Sequence, residues 1–179
     1  MRNHIKHLKF KSTEKPEYFH LNFEYNCHQH FPELDWMLIN YQINRLANNF
    51  KIELHALVMM QTHCHLLFKC ENKNENYFTD HLLSELQVKN IDHTLVEPIT
   101  NITQYLHTYR YIYRNPVAAG ACYKVEEYKF SSIYALLGKS QLQTQIIDPL
   151  SLIQNPNRVL KWLNNHETKK FFQFNSAPI

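Results

Sequence analysis

The sequence of 179 residues contains only two glycines and no long apolar run. Phosphate-binding loops of the GxGxxG and GxxxxGK kinds need several glycines, because backbone amides must approach the phosphate oxygens. Two glycines cannot supply such a loop, which excludes P-loop NTPases and enzymes with the dinucleotide fingerprint. The most apolar run, residues 56–60, is far shorter than the roughly 20 residues of a membrane-spanning helix. The sequence therefore predicts a cytoplasmic protein with neither a nucleotide cofactor nor a membrane partner.

The four cysteines contain no CxxC pair, which makes a disulfide framework or a two-cluster zinc site hard to build. We interpret Cys27, Cys64, Cys70 and Cys122 as reduced thiols. One local cluster, Cys27-His28-Gln29-His30, offers zinc ligands. A structural zinc site usually takes four ligands from two clusters, and the second cluster is missing. A polar turn is the favoured interpretation of this segment.

Charge and length indicate one domain with flanking segments. The net charge of +3 and the pI near 8.6 tolerate a polyanionic partner without requiring one. Residues 1–17 form a basic N-terminal arm, which is either a solvated leader or a contact to phosphates. Residues 18–138 form the main domain, and residues 139–179 a C-terminal helical tail.

Apolar periodicity predicts alternating strands and helices. Residues 18–25 alternate apolar and polar side chains, as a half-buried strand does, whereas residues 34–50 place apolar side chains three and four apart, as a helix does. The other predicted elements are strands 52–60, 63–69 and 89–96, and helices 78–86, 102–115, 133–137 and 158–172. This order predicts an α/β (α+β) sandwich of the ferredoxin-like or RRM-like kind, with a mostly antiparallel sheet and helices packed on one face.

Two histidines, His63 and His65, are separated by one residue on a predicted strand. Side chains alternate across a strand, so both imidazoles project from one face, roughly 7 Å apart along the strand. Two neutral imidazoles so placed can converge on one metal ion. The alternative is a buried, hydrogen-bonded histidine beside an exposed one, and the strand alone does not separate the two.

The helix that ends near Pro116 carries a second polar pattern. Tyr105, Tyr109 and Tyr113 belong to its apolar stripe and are predicted to pack in the core. Tyr111 lies roughly opposite that stripe, with Asn115 one turn later. A phenol beside an amide is compatible with a nucleophile next to a metal ligand. A tyrosine on a solvent-facing side remains the alternative.

Together, these two elements resemble the HUH-type single-tyrosine transposases. The resemblance covers residues 18–138 and implies that they form the catalytic domain. HALVMMQTHCHLLFKC (residues 55–70) is similar to the strand in which two histidines flank a bulky apolar residue. YRYIYRNPVAAGACYKVEEYKFSSIYALLG (residues 109–138) resembles the tyrosine helix of the REP-associated branch, where the nucleophilic tyrosine lies four residues before an Asn-Pro pair. The positions that match here are Tyr111, Asn115-Pro116, Ala119-Gly120 and Ser131-Ser132.

The resemblance implies cleavage and strand transfer of single-stranded DNA, on hairpin-containing substrates, through a 5′-phosphotyrosine at Tyr111. It implies that His63, His65 and Asn115 bind a divalent cation, Mg²⁺ or Mn²⁺, which suits mixed imidazole and oxygen ligation. Single-stranded DNA is recognised by stacking and basic contacts. The DNA-binding candidates are Arg110, Arg114 and Lys124. The protein is expected to act as a monomer or a homodimer.

The sequence departs from the family in two places. Gln61 and Thr62 stand where the family usually has Pro-Asn, and the stretch between the histidines and the tyrosine is short. These departures keep two other functions open. One is a domesticated, cleavage-deficient DNA-binding protein with the same fold, and the other is an unrelated metal-dependent phosphoesterase that uses His63 and His65.

Overall fold

The structure is a computed structural model, and it describes residues 8, 10, 16–24, 32–88 and 93–165. The Cys27-His28-Gln29-His30 cluster, the basic residues of the predicted arm and residues 166–179 lie outside this part. The polar-turn interpretation and the role of the arm therefore stay predictions. The prediction of one continuous helix 158–172 is wrong, because the helix ends at Asn164 and the backbone of Asn165 is already extended. Within the described residues, no helix is both long and apolar enough to cross a membrane.

Four antiparallel strands form one sheet in the order β2-β3-β1-β4. The strands are β1 (Tyr18–Glu24), β2 (Ile52–Met59), β3 (His63–Cys70) and β4 (Leu95–Ile99). Two crossover helices, α1 (Pro32–Phe50) and α2 (Glu75–Glu85), join β1 to β2 and β3 to β4. This β-α-β-β-α-β order with β1 and β3 in the centre is the ferredoxin-like arrangement, so the predicted α+β class and antiparallel sheet are confirmed.

α1 and α2 pack on one face of the sheet because their apolar side chains recur on one stripe. The stripe on α1 includes Trp36, Ile39 and Ile43, which are buried with Phe78 and Leu82 of α2. The strands meet them with alternate residues, since successive side chains point to opposite faces. These strand residues include Phe19, Leu21, Phe23, Leu54, Leu57, Cys64, Leu66 and Phe68.

The opposite face of the sheet is covered by α3 (Ile102–Ala118), and we call it the α3 face. Tyr105, Tyr109 and Tyr113 of α3 are buried on it, which confirms their predicted place in the core. The expectation that helices pack on one face holds for the two crossover helices and must be corrected for α3. A third long helix cannot share the first face, because α1 and α2 already cover the apolar side chains there.

α3 runs past Pro116 to Ala118, so its predicted end near residue 115 is wrong. Proline lacks an N–H and costs one hydrogen bond, but in the last turn that loss does not stop the helix. The backbone amide of Ala119 still donates a hydrogen bond to the backbone carbonyl oxygen of Asn115, at 2.9 Å. The chain turns away from the helix axis at Gly120, two residues after the helix ends, where a φ of +73° favours glycine.

The predicted strand at residues 89–96 overlaps β4 only at its end, because β4 comprises Leu95–Ile99, and residues 89–92 lie outside the described part of the chain. β4 is an edge strand that pairs with β1 alone, and Pro98 is tolerated there since one side of an edge strand needs no ladder hydrogen bonds. An edge strand with exposed side chains lacks a strong apolar alternation. The sequence pattern was therefore weak at this position.

After α3, the last two helices that the structure describes pack on the α3 face, whereas Phe130, Leu142 and Ile146 pack against the apolar cluster beneath α1 and α2. α4 (Ser132–Leu136) follows Ser131 and is succeeded by Gly138 at φ +73°, as predicted, although the Ser131 hydroxyl donates to Tyr128 rather than capping the helix. α5 (Pro156–Asn164) buries Val159 and Leu163 beside α3. The division into an arm, a catalytic domain and a tail stays a prediction.

Candidate metal and tyrosine site

The two predicted histidines lie at the start of β3 and face α3. His65 is 1% exposed, whereas His63, the first residue of the strand, is partly exposed. Their rings are 4.8 Å apart and nearly perpendicular. The hydroxyl of Thr62 lies 3.0 Å from Nδ1 of His63 and so occupies that ring nitrogen. The HxH spacing therefore places both imidazoles on one face, as strand alternation requires.

A third histidine, His20 of β1, completes the cluster. Asn22 is paired with His65 across the two central strands, which places His20 diagonally beside it on the same face. The His20 and His65 rings stack at 5.3 Å, and Nε2 of His20 is 3.1 Å from Nδ1 of His65. The other nitrogen of His20, Nδ1, lies 3.1 Å from a carboxylate oxygen of Glu97 on β4.

Burial keeps these rings neutral at pH 7. It lowers the pKa of His65 to about 3, and the neighbouring His20 and His63 lower it further, since three positive charges this close would repel one another. Burial also lowers the pKa of His20, against the opposing effect of Glu97. The pKa of His63 is lowered by burial too, although a hydrogen bond to Asn115 and the charge of Glu24 oppose that shift. Neutral imidazole is the form that binds a metal ion.

α3 brings the predicted tyrosine and asparagine to this cluster. The Tyr111 ring lies 5.5 Å from the His65 ring and 6.0 Å from the His20 ring, edge-on to both. Tyr111 is nonetheless 45% exposed, so a substrate can reach its phenol. One turn later, the amide nitrogen of Asn115 is 2.7 Å from Nε2 of His65. The i, i+4 spacing thus places both side chains against the same imidazole.

The donor set fits a divalent cation that accepts imidazole and oxygen ligands. Among the described residues, no group of three His, Cys, Asp or Glu side chains is placed to hold a metal ion, and the amides of Asn115 and Asn22 are the other oxygen donors near His65. Asn115 faces Nε2 of His65 where such a cation would lie, and turning its amide presents the oxygen instead. The buried Oδ1 of Asn22, opposite His65, has no hydrogen-bond partner within the described ranges. Carbonyl oxygens of this kind suit Mg²⁺ or Mn²⁺.

The three DNA-binding candidates occupy different surroundings. Arg114 donates to the carbonyl oxygens of Leu163 and Asn165, at 3.0 and 3.2 Å, at the end of α5. Arg110 also donates to Asn165 and lies 5.8 Å from the ring centre of Trp162. Both guanidinium groups therefore join α5 to α3. Lys124 is exposed beside Tyr123, which is 92% exposed. Their contacts with DNA stay predictions.

His20 and Glu97 belong to the cluster but are not among the site residues that the sequence predicts. His20 occupies a polar position of an alternating strand, so strand periodicity placed it on the same kind of face as His63 and His65. The missing information was which strand lies beside β3. β1 lies beside β3 because of the order of strands in the sheet, and the spacing of His63 and His65 in the sequence does not reveal that order.

Comparisons with known proteins support the fold. No protein-family model matches the sequence, and no curated protein matches it either. A solved structure described as a REP-associated tyrosine transposase bound to a REP hairpin is similar to this chain with a TM-score of 0.55 and 16% identity. The match covers 79% of this chain and 92% of that one. The resemblance inferred from the sequence is therefore confirmed at the level of the fold.

Proposed function

Since the chain shares its fold with a REP-associated tyrosine transposase, we propose that it nicks and rejoins single-stranded DNA through a phosphotyrosine at Tyr111. The substrate class is hairpin-containing DNA, as in that similar structure, and the cofactor is Mg²⁺ or Mn²⁺. His63, His65 and Asn115 would hold the metal, and Tyr111 would be the nucleophile. The protein would therefore be an HUH-type transposase or DNA endonuclease.

A single observation carries this proposal: a half-exposed phenol and an amide one turn apart both meet a buried, neutral histidine. Tyr111 contacts the His65 ring edge-on, and Asn115 reaches its Nε2. A structural role for Tyr111 would bury the phenol, as happens to the other α3 tyrosines, yet its ring stays 45% exposed. The arrangement therefore presents a nucleophile to solvent next to candidate metal ligands.

The chemistry is a transesterification in which the number of phosphoester bonds is conserved. The phenol oxygen of Tyr111 forms a bond to phosphorus, the bond from phosphorus to the 3′ oxygen breaks, and the proton lost from the phenol is balanced by one gained at the 3′-hydroxyl. The reaction is reversible and needs no ATP. This agrees with the absence of a phosphate-binding loop in the sequence.

The residues around Tyr111 have separate tasks. A divalent cation, when bound, polarises the scissile phosphate and stabilises negative charge on its oxygens. His65 is held by contacts on both ring nitrogens, and Asn115 is fixed by the same helix that carries Tyr111. Fixing the amide therefore also fixes the phenol one turn away, which reduces the entropy lost in reaching the reactive geometry.

The test is to incubate a labelled DNA hairpin with the protein and Mn²⁺ and to measure the covalent adduct by denaturing electrophoresis. Tyr111→Phe should abolish the adduct while hairpin binding and melting temperature stay unchanged. Tyr77→Phe is the matched control, because Tyr77 of α2 is also exposed and lies outside the cluster. It should form adduct as the wild type does.

The other outcomes identify the alternatives. Hairpin binding without adduct in the wild-type protein would indicate the cleavage-deficient DNA-binding protein. Cleavage that survives Tyr111→Phe would indicate a metal-dependent phosphoesterase in which water is the nucleophile. Either result would overturn the proposed phosphotyrosine.

A further inference from the structure

A line of hydrogen bonds crosses the sheet from its edge to the candidate metal site. It starts at the Glu97 carboxylate on β4, passes through both ring nitrogens of His20 and reaches Nδ1 of His65 at successive distances of 3.1 and 3.1 Å. Beyond the ring, Nε2 of His65 meets Asn115 at 2.7 Å. Three neighbouring strands and α3 thus contribute one residue each.

Because the Glu97 carboxylate can only accept hydrogen bonds, it determines which ring nitrogens of His20 and His65 donate and which accept. An ionised carboxylate can only accept, so Nδ1 of His20 must donate to Glu97. A neutral imidazole has one N–H, so Nε2 of His20 must accept, and it does so from Nδ1–H of His65. By the same rule Nε2 of His65 carries a lone pair, which points at Asn115. That lone pair is the one a metal ion would need.

We propose that Glu97 and His20 are positioning residues, which hold His65 in the tautomer and orientation that direct its Nε2 to a divalent cation. The inference rests on the proposed function, because it takes Nε2 of His65 to be the metal-facing atom. Metal-binding histidines usually donate their second N–H to a carboxylate or a carbonyl, and losing that partner costs roughly 10- to 100-fold in metal affinity or activity. Here a second imidazole relays the same contact.

The chain supplies a matched control on the same face. Glu53 of β2 lies 3.8 Å from His55, and the exposed fractions of the two side chains are 50% and 2%. In the Glu97 and His20 pair they are 52% and 7%. Both pairs join a half-exposed carboxylate to a buried histidine on the α3 face. Only the Glu97 and His20 pair is hydrogen-bonded to His65. His55 forms its hydrogen bond with the Tyr105 hydroxyl instead, at 2.5 Å.

The test compares Glu97→Gln with Glu53→Gln in two measurements. Long-range ¹H–¹⁵N correlation spectra of the metal-free protein show which nitrogen of His65 is protonated, and a calorimetric titration gives the dissociation constant for Mn²⁺. Glu97→Gln should give a mixture of His65 tautomers, because an amide can donate or accept, and should raise the Mn²⁺ dissociation constant about 10-fold or more. Glu53→Gln should leave both measurements at wild-type values, and both variants should keep the wild-type melting temperature.

His20→Leu and His20→Gln add a second comparison. Leucine removes the acceptor and should weaken Mn²⁺ binding by up to about 100-fold, whereas glutamine keeps an oxygen acceptor and should restore part of the affinity. A wild-type protein with Nε2 of His65 protonated would overturn the inference. So would Glu97→Gln protein with an unchanged tautomer or unchanged Mn²⁺ affinity. If the wild-type protein has Nδ1 of His65 protonated and binds Mn²⁺ more tightly than Glu97→Gln, this inference is supported. If that same protein forms no DNA adduct, the proposed function alone is overturned.

Discussion

The two faces of the sheet are built from alternate residues of the same strands, yet they carry different kinds of side chain. Towards α1 and α2, β3 presents Cys64, Leu66 and Phe68, which are fully buried in an apolar cluster. Towards α3, it presents His63 and His65. The first face is apolar along β3, whereas the α3 face combines a buried apolar part, to which Leu67 belongs, with the histidine cluster.

This difference explains how the fold places the candidate site. A shift of one residue in the register of β3 would move Cys64, Leu66 and Phe68 to the α3 face and bury the histidines under α1 and α2. The apolar face opposes that shift, because each large aliphatic side chain it would expose costs about 1.5–3 kcal/mol. The packing of residues such as Leu66 thereby fixes where His65 points, although the two side chains face opposite sides.

The largest effect is expected when the apolar face is disrupted. Leu66→Ala should lower the free energy of unfolding by about 2–5 kcal/mol, because it removes buried methyl groups and leaves a cavity. Urea denaturation measures this change. Adduct formation per folded molecule should stay at the wild-type value, and a loss of adduct in fully folded Leu66→Ala protein would contradict the separation of the two faces.

Disrupting the α3 face should have the opposite effect. Asn115→Ala should cut adduct formation about 100-fold, equivalent to about 2.7 kcal/mol in the barrier, while stability falls by only about 1 kcal/mol for one lost hydrogen bond. Gln104→Ala is the control, since it removes another hydrogen-bonded amide from α3 at its other end. Equal losses of adduct in both variants would indicate that α3 as a whole, rather than Asn115, sets the activity.

Sequence periodicity predicts much of this comparison. The alternation of β1 and β3 and the stripe of α1 are local patterns that burial imposes on neighbouring residues, so they can be read without the fold. The shared face of His63 and His65, and the separation of Tyr111 from the buried tyrosines, follow in the same way. Both need only the period of a strand or a helix.

The rest depends on contacts between distant parts of the chain. His20 meets His65 because β1 lies beside β3, and Glu97 joins them because β4 lies on the other side of β1. The place of α3 opposite the crossover helices is likewise set by which face is already covered. No local period encodes such neighbours, and edge strands such as β4 show the weakest pattern.

A smaller effect should separate the basic residues by what they contact. Arg114→Ala should lower the free energy of unfolding by about 1 kcal/mol, because its guanidinium bonds carbonyl oxygens at the C-terminal end of α5. Lys124→Ala should leave stability unchanged and reduce the salt dependence of hairpin binding by about one phosphate contact. Thermal melting and binding titrations at several salt concentrations measure the two effects. If Arg114→Ala keeps the wild-type stability but its hairpin binding depends less on salt, Arg114 contacts the DNA instead.

The smallest effect concerns the tyrosine end of the α3 face, away from the candidate site. Burial lowers the pKa of His55, which contacts Tyr105 and Tyr18, below its ordinary value of 6.5. The folded state then favours the neutral ring, so its contribution to stability is full above pH 6.5 and is lost as the pH falls towards the lowered pKa. His55→Gln should therefore lose stability less steeply than the wild type as the pH falls below 6.5, with a slope that differs by up to one proton taken up on unfolding. Urea denaturation at a series of pH values measures both slopes.

The slope is the informative quantity in that experiment, because His55→Gln also changes packing and hydrogen bonding at every pH. Those changes shift the free energy of unfolding by a constant, whereas a titrating group changes how it varies with pH. Parallel curves for the two proteins would mean that His55 gains its proton as readily in the fold as in the unfolded chain. That result would mean that Glu53, 3.8 Å from His55, offsets the cost of burying the charge, so that this part of the α3 face tolerates a charged histidine.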